Sequence, residues 1–378
     1  MKKNQPANTL PATGKKPLTK SVKDSIACYG IVIVAYIAIE ILLSGGHINS
    51  SMKGLLIPIC AYIVMALSLN LTVGILGELS LGHAGFMSVG AFSGVVAAIS
   101  LQSSIASTPL RLAVSMLIAA GCAAIAGFLV GIPVLRLNGD YLAIVTLAFG
   151  EIIKNLINCL YVGHDADGLH FAFLKTSDAL NLGDGGKVII NGPMGVSGTP
   201  KLSTFTAGFI LILITLFIIL NLVHSRQGRA IMAIRDNRIA AESVGIGVTR
   251  YKLMAFVTSA ALAGASGALY AMNFTTVVSS KFNFFTSIIV LVYVVLGGLG
   301  NMWGSIISAA LLTLLPELLR KFGDYRMLIY AIVLIVVMLV SNNANLRAFI
   351  TGLFSKDKDD DNAPPTDSGS GKEDTADE

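Results

Sequence analysis

Residues 55–101 read LLIPICAYIVMALSLNLTVGILGELSLGHAGFMSVGAFSGVVAAISL. Glu78 is the only carboxylate there and His83 the only histidine; the remainder is apolar, small or hydroxyl-bearing apart from Asn70. A helix needs about twenty apolar residues to cross ~30 Å of hydrocarbon. The stretch is therefore two crossings, 55–76 and 81–101, parted by Gly77-Glu-Leu-Ser-Leu-Gly-His-Ala-Gly85. A break at membrane depth survives only where it is buried in protein or lines a cavity. A turn at the membrane face needs neither, and both readings stand. Ser80 is expected to cap the second helix, whose free N–H groups and positive dipole end point at the break.

The rest of the chain repeats this pattern. Of its 378 residues 54% are apolar and 13% charged, with mean hydropathy +0.74; an ordinary soluble domain carries about a quarter charged residues. A soluble fold and a nucleic-acid partner are excluded on that ground. The expected fold class is all-α, a polytopic transmembrane bundle. About ten spans are expected, at 26–43, 55–76, 81–101, 112–135, 141–162, 204–223, 253–272, 285–300, 304–320 and 326–342. Basic residues mark cytoplasmic connections. Lys2, Lys3, Lys15, Lys16, Lys20 and Lys23 place segment 1–25 inside, and counting crossings puts 224–252 inside too, where Arg226, Arg229, Arg235, Arg238, Arg250 and Lys252 agree. Both termini then face the cytoplasm. Arg320, Lys321 and Arg326 fall outside by this count, so whether 285–300 and 304–320 both cross stays open. The connection 163–203, with Gly183-Asp-Gly-Gly186, Asn191-Gly-Pro193 and a β-like run at 187–190, reads as a small folded loop on the outer side. The acidic tail 343–378 cannot bury apolar area and is expected to be disordered.

Cys28, Cys60, Cys122 and Cys159 lie in apolar runs without CxxC spacing, and the five histidines are scattered. They read as buried small hydrophobes and isolated polar groups, with no metal site. Small residues four apart (Gly90/Gly94, Gly127/Gly131, Gly264/Ala268, Gly300/Gly304) predict close helix packing in lipid.

Polar residues at membrane depth are costly and face the bundle interior or a wet cavity. Glu151, Asn155 and Asn158 share one helix face, with Tyr161 toward its edge and Lys154 placed to neutralise Glu151. They form either an internal network that locks helices or a path lining; Asn70, Glu78, Ser80 and His83 are the other path candidates. Glu40 reads as a lone group reaching the interface. In the loop, Ile231, Ile234, Ile239, Ala241 and Val244 give short amphipathic helices interrupted by Asp236-Asn237 and ended by Gly245. A basic helix on anionic lipid is the simplest reading; a docking element is the alternative.

Six blocks carry a resemblance. They are Leu67-Ser-Leu-Asn-Leu-Thr-Val-Gly74, Leu79-Ser-Leu-Gly-His-Ala-Gly-Phe-Met-Ser-Val-Gly-Ala-Phe92, Gly139-Asp-Tyr-Leu-Ala-Ile-Val-Thr-Leu-Ala-Phe-Gly-Glu151, Asn191-Gly-Pro-Met-Gly-Val196, the basic loop, and Leu296-Gly-Gly-Leu-Gly-Asn-Met-Trp-Gly304. In this order they resemble the branched-chain amino acid ABC-transporter permease family, the larger of its two paired subunits. The resemblance implies an importer permease of the bacterial plasma membrane, paired with a second permease. It further implies two cytoplasmic ATPase subunits and an extracytoplasmic substrate-binding protein. It also implies that Arg235, Asp236, Arg238, Ala240, Ala241, Glu242 and Gly245 form a coupling loop docking on an ATPase. No Gly-x-x-x-x-Gly-Lys-Ser/Thr loop occurs, so no cofactor is expected and ATP is left to the partners. Three departures from the family pattern stand out: Lys281, the ending Ser341-Asn-Asn-Ala-Asn-Leu-Arg347, and the charged tails. Urea, short amides or another amino acid are alternative cargoes. An ion-coupled secondary transporter is the alternative class, and an enzyme is disfavoured because no nucleophile–base or metal constellation appears.

Overall fold

The computed structural model describes residues 20–45, 50–102, 104–137, 139–165, 168–173, 180 and 186–342. Most of segment 1–25, the tail 343–378 and the Gly183–Gly185 turn lie outside the described residues.

Every expected span is met by a helix. These are α1 (Lys20–Ser44), α2 (Ser50–Asn70), α3 (His83–Ser100), α4 (Thr108–Val134), α5 (Asp140–Asn158), α6 (Phe205–His224), α9 (Val248–Ala271), α10 (Phe284–Gly297), α11 (Met302–Leu318) and α12 (Arg326–Asn342). Two short helices, α7 (Arg226–Asp236) and α8 (Arg238–Ser243), fill the basic loop. Among the described residues six helices are long and apolar enough to cross a membrane, namely Met52–Ile75, His83–Ser100, Thr108–Val134, Phe205–His224, Val248–Ala271 and Ser279–Gly297; Val32–Ser44 and Met302–Leu318 are shorter apolar helices. The fold is that of a multi-pass membrane protein.

The centre is α2, α3, α4 and α9, brought together by small residues. Gly90 lies against the backbone of Gly264, Gly94 against Ala268, and Gly127 against Ala260. Between Gly90 and Gly264 there is no room for a Cβ, so backbones meet directly and dispersion contacts replace the missing water-driven term. Phe256 packs edge-on against Phe86 inside this core, and Leu67, Leu69, Met65 and Met87 are fully buried.

The chain is not purely helical. Helix α5 ends at Asn158, and the residues expected to continue it form strand β1 (Leu160–Asp165), so Tyr161 belongs to a strand and not to the polar helix face. With β2 (Gly168–Phe173), β3 (Lys187–Asn191), β4 (Val196–Ser197) and β5 (Thr276–Val277) it builds an antiparallel sheet in the order β2-β1-β3-β4-β5. Strand β5 comes from the connection after α9, so two connections expected on the same side are hydrogen-bonded to each other. At that end Asn273 also donates to the Gly54 carbonyl at 3.3 Å.

The opposite end collects four other connections. The break after α2, the Gly139-Asp140 turn before α5, and α7–α8 line one cleft. The α10–α11 turn lies beside the same break, with Gly300 against Gly74. Chain topology and packing therefore sort these connections into two sets, one per end.

Candidate functional site

Helix α2 does not stop at Asn70. It widens into a single π-turn, Leu71–Ile75, in which the Leu76 N–H reaches back five residues to the Leu71 carbonyl at 3.1 Å. Such turns leave backbone carbonyls without their regular partner. Gly77, at φ +80°, then reverses the chain, a conformation that favours glycine because it has no Cβ. Residues 77–82 run without helix into α3.

The expected Ser80 cap is not formed. Gly82 is the N-cap of α3, and Ser80 Oγ is buried with no hydrogen-bond partner. The helix end is satisfied from outside: Ser287 Oγ of α10 accepts the Ala84 N–H at 3.0 Å, and Thr146 Oγ1 of α5 accepts the Leu81 N–H at 3.0 Å. Gly82 is pressed onto the Thr146 carbonyl and Gly150, leaving no space for a side chain. This close approach explains why the capping hydroxyls come from neighbouring helices. His83 is buried, its Nε2 2.8 Å from Ser68 Oγ, while Ser259 Oγ donates to the Ser68 carbonyl. Asn70, also fully buried, grips the α10–α11 turn. Its Oδ1 accepts from the Gly300 N–H at 2.8 Å, and its Nδ2 donates to the Asn301 carbonyl at 3.1 Å and Ser305 Oγ at 2.9 Å.

Glu78 separates from the interior candidates. It forms an ion pair with Lys252 of α9, both side chains largely buried. It lines an open cleft of about 850 Å³ together with Asp140, Arg235, Asp236, Arg238 and Glu242. The break thus faces the basic loop. Arg235 spans the two: Nη1 donates to the Gly74 carbonyl at 3.1 Å, its aliphatic stem covers Gly77, and its guanidinium holds Asp236 at 3.0 Å.

The loop itself is built by local capping. Ser225 Oγ accepts from the Gly228 N–H at 3.1 Å to start α7, and Asn237 Oδ1 accepts from the Ala240 N–H at 3.0 Å to start α8. Gly245, at φ +83°, ends it, with the Ile246 N–H on the Ala241 carbonyl at 3.1 Å. Ile234, Ala241 and Val248 form a small core beneath it. The apolar set splits: Ile231, Ile234 and Ala241 are buried, whereas Ile239 and Val244 are 79% and 74% exposed. Arg238 and Glu242 pair across one turn at 3.1 Å, and Ala240 is exposed.

The polar stripe of α5 divides as well. Glu151 pairs with Lys154 and its Oε1 accepts the Phe284 N–H at 3.2 Å, at the positive end of α10. Asn158 Oδ1 accepts from Ser279 Oγ, while Asn155 is exposed. Two of the three residues fasten α5 to the segment carrying the exposed Lys281.

Comparison with known proteins shows the family. The family described as branched-chain amino acid transport system / permease component matches residues 51–339. The high-affinity branched-chain amino acid transport system permease protein LivM of Salmonella typhimurium is 34% identical over 327 residues, 84% of this chain and 74% of that one. The protein of the same description from Escherichia coli is 36% identical over 286 residues, 74% of this chain and 66% of that one. The fructose import permease protein FruG of Bifidobacterium longum is 27% identical over 247 residues, 63% of this chain and 67% of that one. No solved structure matches the chain. With six blocks in order and one continuous match over residues 51–339, the chain belongs to the family of permease components of branched-chain amino acid transport systems.

Proposed function

We propose that this chain is the membrane-embedded permease subunit of an ATP-binding-cassette importer that carries leucine, isoleucine and valine across the bacterial plasma membrane. Residues 26–342 are its permease body, set in membrane lipid and paired with a second permease. Two cytoplasmic ATPase subunits supply the energy, and an extracytoplasmic binding protein delivers cargo to the end that bears the sheet. The count of ten crossings is supported by the sorting of connections into two sets. It puts 163–203 outside and 224–252 inside, with both termini cytoplasmic.

One observation carries the coupling role of the loop. Ile239 stands exposed on α8 and Val244 at its C-cap, while Ala241 turns inward onto Ile234 and Val248. A rigid short helix offering two large apolar side chains, rimmed by Arg238 and Glu242, has the form of an interface core with a polar rim. ATP-driven closure of the ATPases then pulls on α8 and drives the bundle between outward- and inward-open states. Ser80, buried with its Oγ unpartnered, and Asn155, exposed on α5, keep hydrogen-bonding capacity for a zwitterionic cargo in transit. Delivery by the binding protein leaves the permease to contribute only part of the selectivity, and the fructose permease among the relatives shows that cargo differs between similar chains.

The test is co-purification through a tag on this chain, followed by ATPase and leucine uptake assays in proteoliposomes. Leucine-stimulated hydrolysis by associated subunits supports the reading. Uptake by the purified chain alone, driven by an ion gradient, moves it to the secondary-transporter class.

A further inference from the structure

The cleft at the break is bridged by two contacts whose arrangement goes beyond docking. Arg235 and Asp236 end α7, next to Asn237 and α8; Arg235 holds the Gly74 carbonyl, a backbone group of the π-turn. Lys252, the last residue of the loop and in the first turns of α9, holds Glu78, three residues past the π-turn. The C-terminal end of the π-turn is therefore clasped from below, at Gly74 within it and at Glu78 three residues beyond Ile75. From above, Asn70 makes two hydrogen bonds to the α10–α11 turn and one to Ser305 of α11, and Gly74 packs against Gly300. A chain of contacts runs from α7 and α9, which flank α8, through Arg235 and the Lys252–Glu78 pair to the π-turn and its end, and from there to α10 and α11. Asn70 and Gly74 are buried, Lys252 and Glu78 are largely so, and the Arg235 side chain is 40% exposed.

We propose that Arg235 and the Lys252–Glu78 pair are positioning residues that pass motion of α8 to the π-turn of α2, and through Asn70 to the α10–α11 hairpin. This rests on the reading of α8 as the ATPase-docking element. The energetic logic is that of a two-state element held by discrete contacts: a displaced π-turn can relax toward regular helix, shifting register by one residue. Cutting the contacts below it leaves α8 free to follow its partner while the hairpin stays behind. The physical warrant for transmission is such an element biased from both ends, not mere adjacency.

The experiment uses the assembled complex in lipid, with the four native cysteines replaced and spin-label pairs measured by pulsed dipolar spectroscopy. One pair joins Ser243 on α8 to Thr206 at the start of α6; the other joins Leu299 in the α10–α11 turn to Thr206. All three sites are exposed. In the unsubstituted complex both distances are expected to change on trapping with ATP and vanadate. With Arg235→Ala combined with Lys252→Met, the Ser243 change is expected to persist and the Leu299 change to be lost. With Glu78→Lys and Lys252→Glu together, restoring an ion pair of reversed polarity, the Leu299 change is expected to return. Persistence of the Leu299 change in the first variant overturns the proposal, as does loss of both changes together. No Ser243 change in the unsubstituted complex instead overturns the docking assignment beneath it. A failure of folding in the double variant is separated by the charge-reversed pair, which keeps Arg235.

Discussion

Replacing Gly74 by alanine should strike at the point where the π-turn meets the α10–α11 turn. A Cβ there would sit against Asn70 Oδ1 and the Gly300 N–H, between the two partners of a 2.8 Å hydrogen bond, and 2.9 Å from Gly300 Cα. The neighbours on one side are backbone, which gives way only by moving the whole turn. Losing one buried hydrogen bond costs about 0.5–1.5 kcal/mol, and overpacking a tight contact costs about 1–3 kcal/mol. The sum is about 1.5–4.5 kcal/mol, which at about 2–4 °C per kcal/mol lowers the thermal midpoint by about 3–18 °C. The assay is thermal unfolding of the purified chain in detergent, with Gly121→Ala as the internal control. Gly121 lies in α4 with nothing within 4 Å of the added methyl, so its midpoint should not fall. Asn70→Ala should partly absorb the cost of Gly74→Ala, because the two substitutions destroy the same hydrogen bond and so cannot be additive. A Gly74→Ala midpoint equal to that of the unsubstituted chain refutes the reasoning, and so does strict additivity with Asn70→Ala.

Gly90→Leu should prevent α3 from reaching α9, since the Gly264 backbone occupies the space, and protein recovered from membranes by size-exclusion chromatography should fall severalfold; normal recovery argues against backbone contact there. Ile239→Ser with Val244→Ser should leave the chain folded, because both side chains are exposed, yet reduce ATPase co-purification by tenfold or more. Undiminished co-purification moves the interface elsewhere. Glu242→Lys opposes Arg238 across one helix turn and Gly245→Pro removes the positive-φ end of α8; both should abolish leucine-stimulated hydrolysis in the assembled complex. Normal stimulation sinks the docking assignment. Glu151→Ala removes the carboxylate from the α10 N-terminus, so uptake should drop together with thermal stability. A loss of uptake at unchanged stability would instead assign Glu151 to the path.

Much of this arrangement was legible because hydrocarbon imposes strong constraints on sequence. Each apolar run of about twenty residues became a helix within a few residues of its expected ends, and Asn237 and Gly245 marked the ends of α8 by their turn chemistry. The sheet was harder to see. Its strands are two to six residues long, and β5 follows β4 only after the whole of α6–α9, so pairing of Val196 with Val277 leaves no local pattern. Ser80 failed as a cap because the decisive fact is nonlocal: α5 presses on Gly82, and Thr146 and Ser287 arrive with their own hydroxyls. Glu78 pairs across 174 positions with Lys252, a residue that in sequence counted only toward the sign of the loop. The π-turn left no signal either, since Leu71–Ile75 continues the apolar run without interruption. Arg235 and Asn70 emerge as central only once the partners at Gly74 and Gly300 are known; glycines at those positions, each pressed against the other, were the available hint.

The most direct test of the central claim is uptake of labelled leucine at submicromolar concentration by cells with and without this chain, with ATP supplied and the proton gradient collapsed. The account predicts ATP-dependent uptake that disappears when the chain is deleted and returns when it is restored. Undiminished uptake in the deletion strain, with other leucine carriers removed, would contradict branched-chain amino acids as the cargo. Uptake that vanishes when the gradient is collapsed, although ATP is present, would contradict an ATP-driven importer altogether.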